Sequence, residues 1–137
     1  MQYWLLKTEP EEWSWSQQVK SGSKGAEWNG VRNFQASKNL RKMKIGDKCF
    51  FYHTGSIKSI VGVAEVIKDA FLDKSDTTKK FVSVKIKALY PLKQQVALHE
   101  IKKNKLFRDF SLVKQSRLSV MSVDLKYWKK ICKMGKV

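Results

Sequence analysis

Cys49-Phe50-Phe51-Tyr52-His53-Thr54, the turn Gly55-Ser56, and Ile60-Val61-Gly62-Val63-Ala64-Glu65-Val66-Ile67 together decide the fold class. Both apolar runs read as strands, and the turn between them makes them an antiparallel pair. Working outward, Phe81 to Tyr90 alternates, with Val82, Val84, Ile86, Ala88 and Tyr90 on one face and Ser83, Lys85, Lys87 and Leu89 on the other. Pro91 is expected to end that strand. Lys68 to Lys80, between these runs, is polar and charged and is expected to be a mobile loop. Tyr3 to Lys7 reads as a buried first strand stopped at Glu9-Pro10, and Arg117 to Met121 as a short late one.

Helical signals fall between the strands. Ser14 and Gln17 fit a capping box, with Trp15 and Val19 four apart on one face of a short helix. Ala36, Leu40 and Met43 recur at i, i+4 and i+7 while Lys38, Arg41, Lys42 and Lys44 take the other directions, which gives an amphipathic helix with a basic outer face. Leu98 to Lys103 is expected as a short helix. Asp124 is expected to cap a last one that turns Leu125, Trp128, Ile131 and Cys132 inward. Strands interleaved with helices, without a regular βαβ rhythm, indicate one α+β domain over residues 1–137, built on a curved or barrel-like mixed sheet with flanking helices.

At 137 residues the chain is long enough to bury a core without metals or disulfides. Hydrophobic residues make up 42% and aromatics 12%, which argues for a folded domain despite the charge. No apolar run is long enough to cross a bilayer, so no membrane partner is expected. The N-terminus leads directly into a strand, and a cytoplasmic location is expected. Cys49 and Cys132 lack the paired spacing of zinc or redox sites and read as buried thiols. The 28 Lys+Arg against 12 Asp+Glu leave a formal net charge of +16, which suits a polyanionic partner. Of the basic residues 24 are lysine, so genome composition is an alternative source of that charge.

Catalytic templates find little to match. His53 and His99 are the two histidines, and no HExxH, CxxC, phosphate-loop or dinucleotide-loop spacing occurs. No catalytic residue, metal ligand or cofactor is therefore assigned. A ligand pocket needs less. Trp28 or Tyr52 can stack a base, typically worth ~1–3 kcal/mol, and Asn29, Asn33 and Thr54 carry amide and hydroxyl groups suited to its polar edges. Core packing is the competing role for each aromatic. In a strand Phe50, Tyr52 and Thr54 face one way and Cys49, Phe51 and His53 the other, so Tyr52 and Thr54 are placed on one wall with His53 behind. Gly30 suits a tight turn beside Trp28. Arg117 can bind phosphate, stack on a base or pair with an internal carboxylate.

Four ordered blocks carry a family resemblance: Tyr3-Trp4-Leu5-Leu6-Lys7-Thr8-Glu9-Pro10, Trp28-Asn29-Gly30-Val31-Arg32-Asn33, Phe51-Tyr52-His53-Thr54 and Arg117-Leu118-Ser119-Val120-Met121. Together they resemble the EVE domain family, the thymocyte nuclear protein 1 type included, over essentially the whole chain. The resemblance implies a PUA-like fold and a pocket for a modified nucleobase, similar to that of the YTH readers of methylated adenine. In DNA-binding relatives the implied ligand is a modified cytosine drawn out of its stack. Carried over, Trp28 is the stacking wall, Asn29 the polar group beside it and Lys7-Thr8 the edge. Tyr52, His53 and Thr54 form the opposite side, and Arg117 and Ser119 close the site.

Three departures stand out: Asn29 replaces the family's usual Asp, Phe34 a frequent Tyr, and Ser122 a Pro. Asn in place of Asp removes a charge and adds a donor. The expected function is a non-catalytic module for DNA or RNA carrying a modified base. The alternative is a small hydrolase or deacylase of modified nucleosides, motivated by Lys7, Thr8 and Glu9 at a strand end. That cluster resembles the chemistry of some PUA-like ASCH proteins, and strand alternation permits a Lys7-Glu9 pair.

Overall fold

The two apolar runs pair as expected in the computed structural model, which describes residues 1–137. β3 (Lys48–His53) lies antiparallel to β4 (Ser59–Leu72), with Cys49 opposite Ala64 and Phe50 opposite Val63. β4 in turn pairs with β5 (Val82–Ala97). Pro91 does not end β5. It sits opposite Gly62 where the register shifts, and such an irregularity accommodates a residue with no N–H to give the ladder. β4 likewise continues to Leu72, into the segment expected to be loop.

The first strand adds a step that the local patterns do not reveal. β1 (Tyr3–Thr8) runs parallel to β3, with Tyr3 opposite Lys48 and Thr8 opposite His53. A parallel pair requires a long crossover, and here it contains α1 (Trp15–Lys20), the short strand β2 (Ala26–Trp28) and α2 (Phe34–Lys42). β6 (Val120–Ser122) joins β1 antiparallel and β2 joins β5 antiparallel, which gives the order β2-β5-β4-β3-β1-β6. This single mixed sheet curls into a half-barrel. α2 packs on β4, β5 and β6 and so bridges the curl, its Ala36, Leu40 and Met43 buried as expected and Lys38, Arg41, Lys42 and Lys44 outside.

Aromatic rings pack on both faces of β3. Phe50 stacks on Trp128 of α5 (Leu125–Met134) at 3.8 Å, and Tyr3 covers the same indole at 4.5 Å. On the other face Phe51 meets Trp28 and Trp15 edge-on, at 5.6 and 5.2 Å. In α5, Tyr127, Trp128 and Ile131 are buried, Cys132 is half-buried and Leu125 points out. Asp124 holds the cap position without a side-chain bond. α3 (Leu98–Lys103) forms where expected and α4 (Ser111–Lys114) follows it. In α1 the Ser14–Gln17 capping box is present, but Val19 faces solvent. Gln18 takes the inward position, accepting from the Trp13 indole N–H at 2.8 Å and donating to the Ile86 carbonyl at 3.0 Å.

Trp15 reaches the sheet because position 62 has no side chain. A Cβ there would lie 2.5 Å from the Trp15 ring. A rigid indole flanked by Phe51 has little freedom to yield, so Gly62→Ala should cost roughly 1–3 kcal/mol as overpacking does in other cores. Urea unfolding is the measurement, and an unchanged midpoint would show that the indole moves aside freely.

Candidate functional site

Parallel pairing brings the C-terminal ends of β1 and β3 out side by side. The Thr54 N–H donates to the Thr8 carbonyl at 2.9 Å, and the Thr54 hydroxyl donates to Glu9 Oε1 at 2.9 Å. From the far side, the segment entering β6 is tied to β1: the Lys7 N–H donates to the Ser119 carbonyl at 2.9 Å and Lys7 Nζ to the Ser116 carbonyl at 3.0 Å. The segment leaving β2, Asn29 to Arg32, arrives from the opposite edge of the curled sheet. These parts enclose an open cleft of about 540 Å3, within the range of roughly 300–1,000 Å3 typical of small-molecule pockets. Lys7, Thr8, Trp28, Asn29, Thr54, Arg117 and Ser119 all line it.

Its aromatic walls are Trp28 and Trp13. Trp28 is 7% exposed, so most of its indole belongs to the core and a margin reaches the cleft. Trp13 is half-buried, with its N–H fixed by Gln18 and its backbone carbonyl accepting from the Thr8 hydroxyl at 3.0 Å. The Asn29 side-chain oxygen accepts from the Ser83 hydroxyl, which leaves the amide NH2 without a protein partner. Glu12 and Arg117 also line the cleft with no side-chain hydrogen bond or ion pair. The cleft therefore offers an amide donor, a carboxylate acceptor and a guanidinium beside two indoles.

Three of the expected site residues lie elsewhere. Tyr52 is buried between the sheet and its neighbours, with the Lys7 ammonium 5.7 Å from its ring centroid, and burial pushes its hydroxyl up to about 12. His53 is buried against Phe51, and its Nε2 accepts from the Trp15 backbone N–H at 3.1 Å, anchoring α1. Burial holds that imidazole below its ordinary pKa. Asn33 caps α2, its Oδ1 accepting from the Ala36 N–H at 2.9 Å. It borders a shallower hollow of about 340 Å3 that shares Ser116 and Arg117 with the cleft. Of the wall Tyr52 and Thr54 were to form, Thr54 alone reaches the opening. Nor do Lys7 and Glu9 pair: the ammonium is bonded to a carbonyl and the carboxylate to a hydroxyl, while burial lowers the Lys7 pKa.

Seven lining residues were not assigned to the pocket from the sequence: Glu9, Val31 and Arg32 lie within the quoted blocks, Glu9 only as part of the hydrolase alternative, whereas Glu12, Trp13, Glu27 and Ser116 lie in none of them. Trp13 lies in the turn after β1, where an indole carries no periodic pattern. Arg32 is held by Asp73 at 3.0 Å, by Ser75 at 3.0 Å and by the Val31 carbonyl at 3.2 Å. The Asp73-Lys74-Ser75 and Asp76-Thr77-Thr78 sequences do carry the spacing of side-chain-stabilised turns. Asp73 and Asp76 each accept four hydrogen bonds, so the stretch expected to be mobile is a braced loop.

The sequence matches the EVE domain family over residues 2–134. Thymocyte nuclear protein 1 of Danio rerio is 30% identical over 149 residues, covering 85% of this chain and 64% of that protein. The match to the Mus musculus protein of the same name spans 38% of its length. Among solved structures, Rpa0253 from Rhodopseudomonas palustris is 47% identical with a TM-score of 0.94, covering 99% of this chain and 94% of that one. The human THYN1 protein in complex with 5-methylcytosine-containing DNA superposes with a TM-score of 0.90 at 23% identity, covering 100% and 99%. The YTH domain of Zygosaccharomyces rouxii MRB1 in complex with N6-methyladenosine RNA gives 0.61 at 19%, covering 99% and 85%. At these last two identities the likeness is one of fold.

The Asp73 carboxylate ties the loop after β2 in place, since Gly30, at φ +85°, donates its N–H to Asp73 Oδ2 at 2.8 Å. Burial opposes ionisation, but bonds from Ser75, Gly30 and Arg32 outweigh it and hold the carboxyl at about 2. The folded value lies below the ordinary 3.8, so this stabilisation is complete above about pH 4 and is lost as pH falls toward 2. The Gly30 amide resonance should titrate with a midpoint near 2, and a midpoint at the ordinary carboxylate value would disprove the anchor.

Proposed function

The chain belongs to the EVE domain family, and from that premise we propose that it is a non-catalytic nucleic-acid-binding module that takes one modified nucleobase into the cleft between β2 and β6. The observation that carries this reading is the cleft itself: two indoles, an unpartnered amide and an unpartnered carboxylate in a chain of formal charge +16. Support also comes from the company the fold keeps, since one solved relative holds DNA with 5-methylcytosine and a more distant neighbour holds RNA with N6-methyladenosine.

In this reading the base stacks on Trp13, with the margin of Trp28 behind it. The Asn29 NH2 donates to a ring nitrogen or carbonyl, and Glu12 accepts from an exocyclic amino group. A carboxylate beside an amide donor matches the edge of cytosine or adenine better than that of thymine or uracil, whose amino group is replaced by a carbonyl. Arg117, at the junction of the cleft with the neighbouring hollow, holds a backbone phosphate. Taking the base from a duplex costs unstacking energy of a few kcal/mol, which stacking on indole and phosphate contacts offset. The hydrolase reading receives no comparable support, because Lys7 and Glu9 are each bonded within the protein and not to one another.

Three measurements test the proposal. Oligonucleotides of DNA and RNA, matched except for one modified base, should separate in affinity at a fixed salt concentration; equal affinities across the whole panel would refute base recognition. Trp13→Ala should weaken binding to the preferred oligonucleotide by about tenfold or more, given stacking worth roughly 1–3 kcal/mol per base. Arg117→Ala should instead weaken all oligonucleotides alike and reduce the slope of log K against log salt by about 1.

A further inference from the structure

We infer that Phe34 is a stacking post for the nucleobase adjoining the one in the cleft, an inference that rests on the cleft's taking a base from a strand. Phe34 is 72% exposed at the first position of α2, a helix whose start is fixed by the Asn33 cap. A single exposed aromatic is ordinary on a protein surface. This one is backed by a built column. Its ring lies 5.2 Å from that of Phe81 at 31°, and the Arg32 guanidinium lies 5.2 Å from the Phe81 ring centroid. Arg32 lines the cleft, so the column runs from the cleft rim to Phe34 in two contacts.

The post is rigid as well as exposed. The Phe81 N–H and the Lys80 N–H both donate to Asp76 Oδ2 at 2.9 Å, and Arg41 of α2 donates to the Lys80 carbonyl at 2.9 Å, so loop and helix are tied together beneath the ring. Its surroundings are cationic. Lys38 stands one helical turn along the same face, Lys79 and Lys80 precede Phe81, and none of the three forms an ion pair. A flat ring held open to solvent within unpaired positive charge matches a base flanked by phosphates, since every base has a face to stack and every link a charge to neutralise. An apolar side chain of a protein partner would find the ring but leave those cations unmatched.

The test compares wild type, Phe34→Ala and Phe34→Tyr against two probes, the preferred oligonucleotide and its modified nucleoside alone. Phe34→Ala should lower oligonucleotide affinity by about tenfold and leave nucleoside affinity unchanged, and Phe34→Tyr should keep both. The fluorescence of 2-aminopurine placed beside the modified base should be quenched by wild type and not by Phe34→Ala. Unchanged oligonucleotide affinity in Phe34→Ala, with the nucleoside still bound, would overturn the post and leave the cleft reading standing. Failure of wild type to bind either probe would overturn both. Loss of self-association on sedimentation, with oligonucleotide affinity intact, would assign this face to a second copy of the chain and overturn the post alone. Circular dichroism melts confirm that the variants fold.

Discussion

Parallel pairing of β1 with β3 is the constraint on which the cleft rests. Reversing either strand would send Thr8 and Glu9 to one end of the sheet and Thr54 to the other, and no opening would be framed by all three. Parallel strands cannot be joined by a tight turn, so the chain must travel from Glu9 to Asp47 before it can lay down β3. That detour supplies Trp13, β2, the Asn29 to Arg32 segment and α2. The connection demanded by the topology is thus also the wall of the site. At the other end of the two strands Asp47, 4% exposed, accepts from the Gln2 N–H at 3.1 Å, the Trp4 indole N–H at 3.0 Å and the Lys44 N–H at 3.0 Å. Burial works against this carboxylate, and the three bonds outweigh it to lower its pKa.

Carboxylates play the same structural part at the cleft. In a chain with more than twice as many basic as acidic residues, Asp47 and Asp73 are buried and fully bonded, and Asp76 organises a loop. A buried charge left unpaired would be costly, and Asp47 and Asp73 instead collect donors from segments far apart in sequence, whereas the donors to Asp76 all come from its own loop. One consequence concerns the arginines. Arg32 is held by Asp73, so its charge is matched within the protein, and it acts as a brace. Arg117, which also lines the cleft, has no such partner, and its charge is available to a ligand.

Local patterns in the sequence foretell local structure here. The β3–β4 hairpin, the capping box of α1 and the apolar stripe of α2 each depend on residues within a turn or two of one another. Where packing across the molecule decides, the same patterns mislead. Val19 has the spacing of a buried residue, yet Gln18 goes inside because two polar groups await it there. Pro91 marks a strand end by propensity and is absorbed by an irregularity opposite Gly62. Every residue from Cys49 to His53 is buried, because α5 covers one face of β3 while Trp15 and Trp28 cover the other. Alternation along such a strand separates two faces without saying that either opens to a ligand. Tyr52 and His53 accordingly belong to the frame, and Thr54, the first residue past the strand, belongs to the cleft.

Trp28 and Trp13 divide between them two demands that a binding site makes on aromatic side chains. A wall must be held rigidly, which favours burial, and it must present a free surface, which burial removes. Trp28, locked edge-on against Phe51, meets the first demand and has little surface left for the second. Trp13 contributes less to the core and is positioned by three hydrogen bonds, one through its indole and two through its backbone N–H and carbonyl, which leave its ring half-exposed. Geometry thus grades the site from a buried floor at Trp28, through a tethered wall at Trp13, to the exposed rim of Asn29, Glu12 and Arg117. Under the proposed function, selectivity among bases is read at that rim, where a polar group exchanges water for a matching partner at small net gain and is left unpaired, at a larger cost, when a mismatched base covers it. The floor gives it a fixed frame to read from.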